Sequence, residues 1–505
     1  MDKKRSVLNV TVSVFFKIIL LLGALFVRRT LIRLIGNDLN GLASLFVSII
    51  GFLTVAELGV GEAISFCMYR PIVDGDRHKL AALYRLFRRL YLIIGGVISL
   101  LGLAVMPALP YLARDIGYTG VNLYLSFGLT LLSVVLTYGF GARSALIKAH
   151  KSNYIATSVH SVGALIEYGS QIAVVYITRS FELYLVCRIV SALLQWAAYA
   201  VITEKKYPDI LHTAASSLDG DTRSLIVKNV KAMFLHSLGG ALVNTSDSLI
   251  ISAFIGVALL GTYSNYTAVI TAMTGVLALF FTPLTSVIGH LFVGEGAEKT
   301  RDYFGFFYGL NYLLACVFFL GYYAVIDCVI AIFFGEGLLL ERSVTLVLTL
   351  NFFLQFMRRS TLLFRDATGT FYNDRLKPFI EGTFNVALSI IFVKPFGIAG
   401  VLIATVITNL LICYTVEPYV LFKHAFGASP RRFYLSSYIY AALFCVMLPA
   451  LDALSVDFSN PWLGLLVNGF IAVGLSLLPA AVLLISCEPF RRYLFSLIRK
   501  IKHNR

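Results

Sequence analysis

The sequence predicts an all-α integral membrane protein with about fourteen transmembrane helices, arranged as two pseudo-symmetric six-helix lobes and a C-terminal helix pair. Three observations predict this fold class: the composition, a succession of apolar segments of spanning length, and an internal repeat. Of the 505 residues, 58% are hydrophobic and 14% are charged, whereas soluble proteins average about 45–50% and 25%. The mean hydropathy is +0.82. These values exclude an ordinary soluble protein.

The apolar segments define the predicted spans. A transmembrane helix needs about 20 mostly apolar residues, and fourteen segments approach or exceed that length. They lie at about 10–29, 42–67, 90–112, 119–141, 154–178, 181–203, 232–256, 262–292, 305–335, 343–363, 378–394, 397–422, 434–454 and 462–486. An even number of spans places both termini on one side of the membrane.

The distribution of basic residues indicates which side that is. Of the 42 lysines and arginines, 33 lie in segments on the side of the termini and seven in segments on the other side. Because positively charged loops stay in the cytoplasm, we expect a multi-pass protein of the cell membrane with both termini cytoplasmic. Within 70–89, Leu83, Leu86 and Phe87 follow a helical spacing that predicts an amphipathic inner helix. The net charge of +15 therefore reflects topology and contact with anionic inner-leaflet lipids rather than nucleic acid.

A repeat appears when the chain is compared with itself at an offset of 220 residues. The matching pairs are Ile35-Gly36 with Ile255-Gly256, Gly41 with Gly261, Ser44 with Ser264, and Thr54 with Thr274. These matches predict an N-terminal lobe at 1–210, a second lobe at 211–425, and a helix pair with a basic cytoplasmic tail at 426–505. The alternative is that glycine turns between any two spans resemble one another.

Charged residues inside the predicted spans are candidates for function, because such groups are costly in a bilayer. Lys17 and Arg28 share one face of span one, and Arg29 follows. Asn244 and Asp247 lie on span seven, on the face that the repeat makes equivalent. We expect these faces to meet across a hydrated cavity, with Lys17, Arg28, Arg29 and Asn244 binding an anionic substrate. Asp247 would be a counter-ion or a proton or sodium site. Anchoring at the outer interface is the alternative for both arginines, as is snorkelling for Lys17.

Other spans carry acidic groups as well. Glu57 stands in a glycine-containing segment of span two and is a second candidate for ion coupling. Glu167 and Arg188 lie on polar stripes of spans five and six. A Glu167–Arg188 pair that holds these helices together is as plausible as a transport role.

Several catalytic and metal-binding patterns are missing. The seven cysteines form no Cys-x-x-Cys pair, and no histidine, cysteine or carboxylate spacing predicts a metal site. No Gly-Lys dipeptide occurs, which excludes a P-loop and ATP hydrolysis. We therefore expect no cofactor beyond a coupling proton or sodium ion. Two Asp-Gly-Asp triplets, at 74–76 and 219–221, superficially match the metal-binding aspartates of a glycosyltransferase, but Asp-Gly is also an ordinary turn.

The stretch from Phe364 to Pro378, FRDATGTFYNDRLKP, continues through Glu381 and Asn385 to the FGIAGV segment at 396–401. This region resembles bacterial polysaccharide flippases of the O-antigen and capsule type. The segment at 57–61 and the Asn244 to Ile251 segment look like that family as well.

The resemblance implies a member of the multidrug, oligosaccharidyl-lipid and polysaccharide exporter superfamily. Such a protein is not an enzyme and moves undecaprenyl-diphosphate-linked oligosaccharide from the inner to the outer leaflet by alternating access. Its partners would be that lipid-linked glycan, together with a polysaccharide polymerase and glycosyltransferases. A lipid II flippase is the nearest alternative, and a cation-coupled drug exporter or a membrane-embedded glycosyltransferase or polymerase is a weaker one.

Overall fold

The computed structural model describes residues 3–57, 60–116, 120–213, 220–281 and 284–503. Within these ranges the chain is helical and contains no β-strand, and all fourteen predicted spans fall on helices. Seven helical segments of the described residues are both long and apolar enough to cross a membrane. The all-α membrane fold class is confirmed.

The chain divides into two compact units, Met1–Gly261 and Thr262–Arg505. The first unit contains α1 Lys3–Leu34, α2 Asn37–Leu53, α3 Val60–Asp74, α4 Arg77–Val105, α5 Leu109–Leu112, α6 Leu123–Ala149, α7 Asn153–Thr178, α8 Phe181–Lys206, α9 Pro208–His212, α10 Gly220–Phe254 and the first residues of α11 Val257–Phe281. In this unit α1 packs against α7, α6 against α4 and α8, and α10 against α2 and α3. The predicted domain boundaries at 210 and 425 remain a prediction.

The second unit contains the rest of α11, then α12 Leu284–Phe333, α13 Arg342–Ala367, α14 Lys377–Thr408, α15 Tyr414–His424, α16 Arg431–Leu454, α17 Pro461–Leu475, α18 Leu477–Ser486 and α19 Glu488–His503. Two of these helices contain a break. Gly296 in α12 and Gly397 in α14 have positive φ angles of 83° and 58°, which glycine adopts at little cost. The breaks fall between predicted spans eight and nine and between spans eleven and twelve.

The first turns of α4 confirm the predicted amphipathic pattern. Leu83 and Phe87 are buried, whereas Arg85, Arg88 and Arg89 are exposed. The helix begins at Arg77, where the Asp76 side chain accepts a hydrogen bond from the Lys79 backbone N–H at 2.9 Å. Asp76 therefore acts as a helix cap in the first Asp-Gly-Asp triplet, with Gly75 at a positive φ of 70°. This geometry matches the turn interpretation of that triplet.

The two turns that the 220-residue offset aligns have the same backbone geometry. Gly36 ends α1 with a φ of 122°, and Gly256 ends α10 with a φ of 135°. In the first turn, the N–H groups of residues 35 and 36 donate to the Leu31 carbonyl. In the second, those of residues 255 and 256 donate to the Ile251 carbonyl. Gly335, which the offset does not align with either glycine, ends α12 in the same way, with a φ of 117° and with the N–H groups of residues 334 and 335 donating to the Ile330 carbonyl. This geometry therefore also fits the alternative that glycine turns between spans resemble one another.

A reciprocal contact joins the first turns of α2 and α11. A Cβ atom on Gly41 would overlap the Val257 carbonyl, and one on Gly261 would lie 2.5 Å from the Asn37 carbonyl oxygen. Gly41 meets Val257, and Gly261 meets Asn37. The offset of 220 residues pairs Asn37 with Val257, just as it pairs Gly41 with Gly261, so the two contacts are equivalent. Asn40 reinforces the contact, because its amide donates to the Gly261 carbonyl at 3.2 Å.

Replacing Gly41 or Gly261 with alanine should destabilise the protein by about 1–3 kcal/mol in each case, because the added methyl group meets rigid backbone. Gly96 in α4 is the matched control, since a Cβ there meets nothing within 4 Å. Alanine in an open helix position is otherwise favoured over glycine by about 0.5–1 kcal/mol. Thermal unfolding of the detergent-solubilised protein measures all three variants. An unchanged Tm for Gly41→Ala would contradict the close backbone contact.

Candidate functional site

The three basic candidates on α1 are half-buried. Arg28 lies within electrostatic range of Tyr184 on α8. This position agrees with the packing of α1 against α7, where Gly23 leaves room for the Tyr168 ring. The guanidinium of Arg28 is thus placed among polar groups of the first unit. The roles of Lys17, Arg28 and Arg29 as substrate ligands remain predictions.

The polar face of α10 is described in part. Asp247 is half-buried on a helix that packs against α2 and the 3₁₀ turn Thr54–Glu57. Nearby, a Cβ on Gly51 of α2 would lie 3.5 Å from the Thr245 methyl group. The side chain of Asn244 lies outside the described residues. The predicted meeting of the α1 and α10 polar faces therefore stays a prediction.

Glu57 ends the 3₁₀ turn that interrupts predicted span two. The Tyr91 hydroxyl of α4 donates to Glu57 Oε1 at 2.8 Å, and the Tyr138 hydroxyl of α6 donates to Oε2 at 2.7 Å. Each carboxylate oxygen thus receives one phenolic hydrogen bond. Neither tyrosine was a sequence candidate, because each lies on a different helix and no spacing relates it to Glu57.

The predicted pair between α7 and α8 is confirmed. Arg188 Nε lies 3.5 Å from Glu167 Oε1. On the same pair of helices, Ser191 donates to the Gly163 carbonyl at 2.9 Å and Gln195 donates to Ser191 at 3.2 Å. This polar seam joins the two helices, which favours the structural role for these residues.

The second unit contains a buried ion network that sequence reasoning missed. The Arg358 guanidinium of α13 binds both oxygens of Glu417 on α15, with Nε at 3.1 Å from Oε2. It also lies 3.2 Å from Glu381 on α14. Lys377 completes the network through Glu381, at 2.7 Å, and Glu417. Two cations and two anions therefore meet where three helices converge, and the Glu417 side chain is only 1% exposed.

Two turns further along α13, Arg365 extends this arrangement into the loop. Arg365 donates to Asp374 at 2.6 Å and to Asp366 at 3.0 Å. Burial alone would lower the pKa of Arg365, but the adjacent carboxylates raise it above its usual value. Arg365, Asp374 and Lys377 all belong to the stretch that resembles polysaccharide flippases. In this chain that stretch fastens the α13–α14 connection to the helices beside it.

A further network lies at the other end of α13. The Arg342 guanidinium lies 3.0 Å from Asp327 of α12 and 2.8 Å from Asp452 of α16. It also stacks over the Tyr323 ring at 3.7 Å, and the Tyr323 hydroxyl donates to Asp452 at 2.6 Å. This network joins predicted span thirteen to the rest of the second unit.

The described residues contain no group of three or more histidines, cysteines, aspartates or glutamates that could hold a metal ion. The second Asp-Gly-Asp triplet begins outside the described residues. Of the candidate groups, the structure shows the partners of Glu57, Glu167 and Arg188 in detail.

Comparison with known proteins identifies the fold. No family model matches the chain, and no curated protein sequence is significantly similar to it. Among solved structures, the lipid II flippase MurJ in an inward closed conformation matches with a TM-score of 0.67 at 14% identity, over 94% of this chain and 98% of MurJ. An inward-facing multidrug resistance MATE family transporter of the MOP superfamily matches with a TM-score of 0.64 at 16% identity, over 81% and 98% of the two chains. A MOP superfamily transporter from Pyrococcus furiosus gives 0.56 at 16% identity, over 83% and 95%.

These similar structures comprise two MOP superfamily transporters and a lipid II flippase. The chain has the fold of the MOP superfamily of membrane transporters.

The substitution Glu417→Gln should destabilise the protein by about 3–5 kcal/mol, because it leaves Arg358 and Lys377 buried with too little negative charge. Glu295→Gln is the control, since Glu295 forms an exposed pair with Lys299 in the same unit and such pairs contribute about 0–1 kcal/mol. The double variant Arg358→Gln/Glu417→Gln should lose less than the sum of the two single variants. Denaturation monitored by tryptophan fluorescence or scanning calorimetry measures each loss. Equal losses for Glu417→Gln and Glu295→Gln would show that the network adds no stability.

Proposed function

We propose that this protein flips undecaprenyl-diphosphate-linked oligosaccharide repeat units from the inner to the outer leaflet by alternating access, for surface polysaccharide biosynthesis. The observation that carries the proposal is the basic set Lys17, Arg28 and Arg29 on α1 of a MOP-type fold. Arginine binds phosphate oxygens with two parallel hydrogen bonds, and half-buried cations in a membrane helix favour an anionic ligand. A diphosphate headgroup supplies that charge.

The lipid II flippase remains the second candidate, and a specific observation favours a lipid-linked substrate in general. The match to MurJ extends over 94% of this chain, whereas those to the MATE transporter and the Pyrococcus furiosus protein extend over 81% and 83%. A cation-coupled exporter of cationic drugs fits less well, because three basic residues on α1 would repel such a substrate. Lipid II and polysaccharide precursors share the polyprenyl diphosphate, so the glycan distinguishes them.

Transport against a concentration gradient needs an energy source. Two carboxylates are suited to couple transport to the movement of an ion across the membrane. Asp247 is half-buried on α10, and Glu57 interrupts predicted span two. Either group could bind a proton or a sodium ion and lose it on the other side of the membrane. Asn244 is proposed as a further substrate ligand on α10. No cofactor is required by this mechanism.

The proposed location is the cell membrane, with both termini cytoplasmic. In this orientation the exposed Arg85, Arg88 and Arg89 of α4 face the inner surface, where they would contact anionic lipids. The enzymes that build the lipid-linked glycan on that surface and the polymerase that uses it on the other side are the proposed protein partners.

Depletion of the protein should trap completed lipid-linked repeat units on the inner leaflet, and surface polysaccharide should be lost. Arg28→Ala and Asp247→Ala should reproduce this loss, because they remove a substrate ligand and a coupling group. Arg33→Ala is the matched control, since Arg33 is exposed on the same helix as Arg28. Surface polysaccharide, protein abundance and the leaflet of the lipid-linked glycan are measured together.

Three outcomes would contradict the proposal. A truncated glycan after depletion would indicate an enzyme, and accumulated peptidoglycan precursor would indicate a lipid II flippase. Wild-type export by both Arg28→Ala and Asp247→Ala would exclude the proposed site while leaving the fold unaffected.

A further inference from the structure

The partners of Glu57 differ from those of the other acidic groups described above. Within the described residues, both hydrogen-bond donors to its carboxylate are phenols, from Tyr91 and Tyr138, and neither an arginine nor a lysine forms an ion pair with it. Phenols carry no charge, so protonation of this carboxylate would leave no cation without its partner.

The surrounding sequence is shaped to hold Tyr91 in this position. A Cβ on Gly61 would lie 2.6 Å from the Tyr91 hydroxyl, and a Cβ on Gly141 would overlap the Tyr91 ring. The Phe87 ring stacks on the Tyr91 ring, with the centroids 4.4 Å apart. The two glycines leave space for Tyr91 and Phe87 stacks on its ring, so together they hold the phenol oxygen beside Glu57.

Tyr138 is held by the same set of helices. Its Cβ lies 3.4 Å from the position that a Cβ on Gly95 of α4 would take, and its ring centroid lies 5.6 Å from that of Tyr91. The two hydroxyls thus approach Glu57 from neighbouring helices and reach different oxygens. Such an arrangement needs α4, α6 and the 3₁₀ turn together.

Phenols suit both protonation states of a carboxyl group. A phenolic hydroxyl is a donor and an acceptor, so Tyr91 and Tyr138 donate to the ionised carboxylate. When Glu57 takes up a proton, one hydroxyl can rotate and accept the new O–H. Apart from the new O–H bond of Glu57, only the hydrogen bond of that one hydroxyl reverses in this step.

We propose that Tyr91 and Tyr138 are positioning residues that hold Glu57 as a reversible proton-binding site. Its use in transport rests on the proposed function, and it would then make the proton the coupling ion. The proton enters and leaves as H⁺ at a carboxylate oxygen of Glu57.

Other ionisable groups belong to the elements around this turn, which packs against α2, α4 and α10. Asp247 on α10 is the second coupling candidate and must be measured separately. Other ionisable groups on these elements and their neighbours include Asp38 at the start of α2, Arg88 and Arg89 of α4, Arg143 of α6, and Glu62 of α3, whose side chain lies outside the described residues.

Infrared difference spectroscopy between acidic and alkaline buffer tests the proposal on the full chain. The protein is reconstituted in vesicles of phosphatidylethanolamine and phosphatidylglycerol, without substrate. Glu57→Gln should remove a protonated-carboxyl band that Asp247→Asn retains. Tyr91→Phe and Tyr138→Phe should each move the pH midpoint of that band upward by about one pH unit, because the ionised state loses a donor. The double variant should move it by about twice as much.

Tyr199→Phe is the matched control, because Tyr199 is a buried tyrosine of the same unit whose hydroxyl donates to the Ala156 carbonyl at 3.0 Å. It should leave the band unchanged. A band that persists in Glu57→Gln, or one that the tyrosine variants do not move, would overturn the proposal. Loss of the band when sodium chloride replaces potassium chloride at constant pH would also overturn it.

A transport measurement separates this inference from the proposed function. If the band behaves as expected but Glu57→Gln exports polysaccharide normally, the proton site stands and its role in coupling fails. If the band does not behave as expected, the proton site fails whatever the export assay shows.

Discussion

A charge inside a bilayer must be compensated by another charge, by hydrogen bonds or by water, and the described polar interior of this protein depends on that constraint. Arg358 shows it most clearly, because its guanidinium binds both oxygens of Glu417 and also reaches Glu381. Three helices converge on these groups. Removing any one charge leaves the others buried and uncompensated, so the positions of α13, α14 and α15 are tied to one another.

The glycines, which have no side chain, are as important for the packing of these helices as the charged residues are. Polar groups in a membrane interior can meet only if the helices approach closely, and small residues permit this. Gly41 and Gly261 bring α2 and α11 into backbone contact, while Gly61 and Gly141 make the space that Tyr91 occupies. Gly61 of predicted span two and Gly141 of span four therefore make room for a tyrosine that binds Glu57.

Hydropathy was sufficient to predict the helical membrane fold, and seven helices of the described residues are long and apolar enough to span, because burial in lipid is a property of continuous segments. The Glu167–Arg188 pair was also predictable, since the two residues lie on successive spans that pack together. The network around Arg358 was not, because its partner Glu417 lies 59 residues away and nothing in linear spacing relates them. The tyrosines at Glu57 were missed for the same reason. Which side chains meet across two helices depends on how each helix is rotated about its own axis, and hydropathy gives no information on that rotation.

Two kinds of acidic group can now be distinguished by their partners. Glu381 and Glu417 each face an arginine and a lysine, so protonating either of them would leave a buried cation without its partner. Glu57 receives hydrogen bonds from phenols, which tolerate either state. A transporter that cycles between conformations needs fixed ion pairs to keep helices together and a separate group whose charge can change at low cost. In the proposed transport cycle, neutral donors at Glu57 would meet the second requirement without disturbing the first.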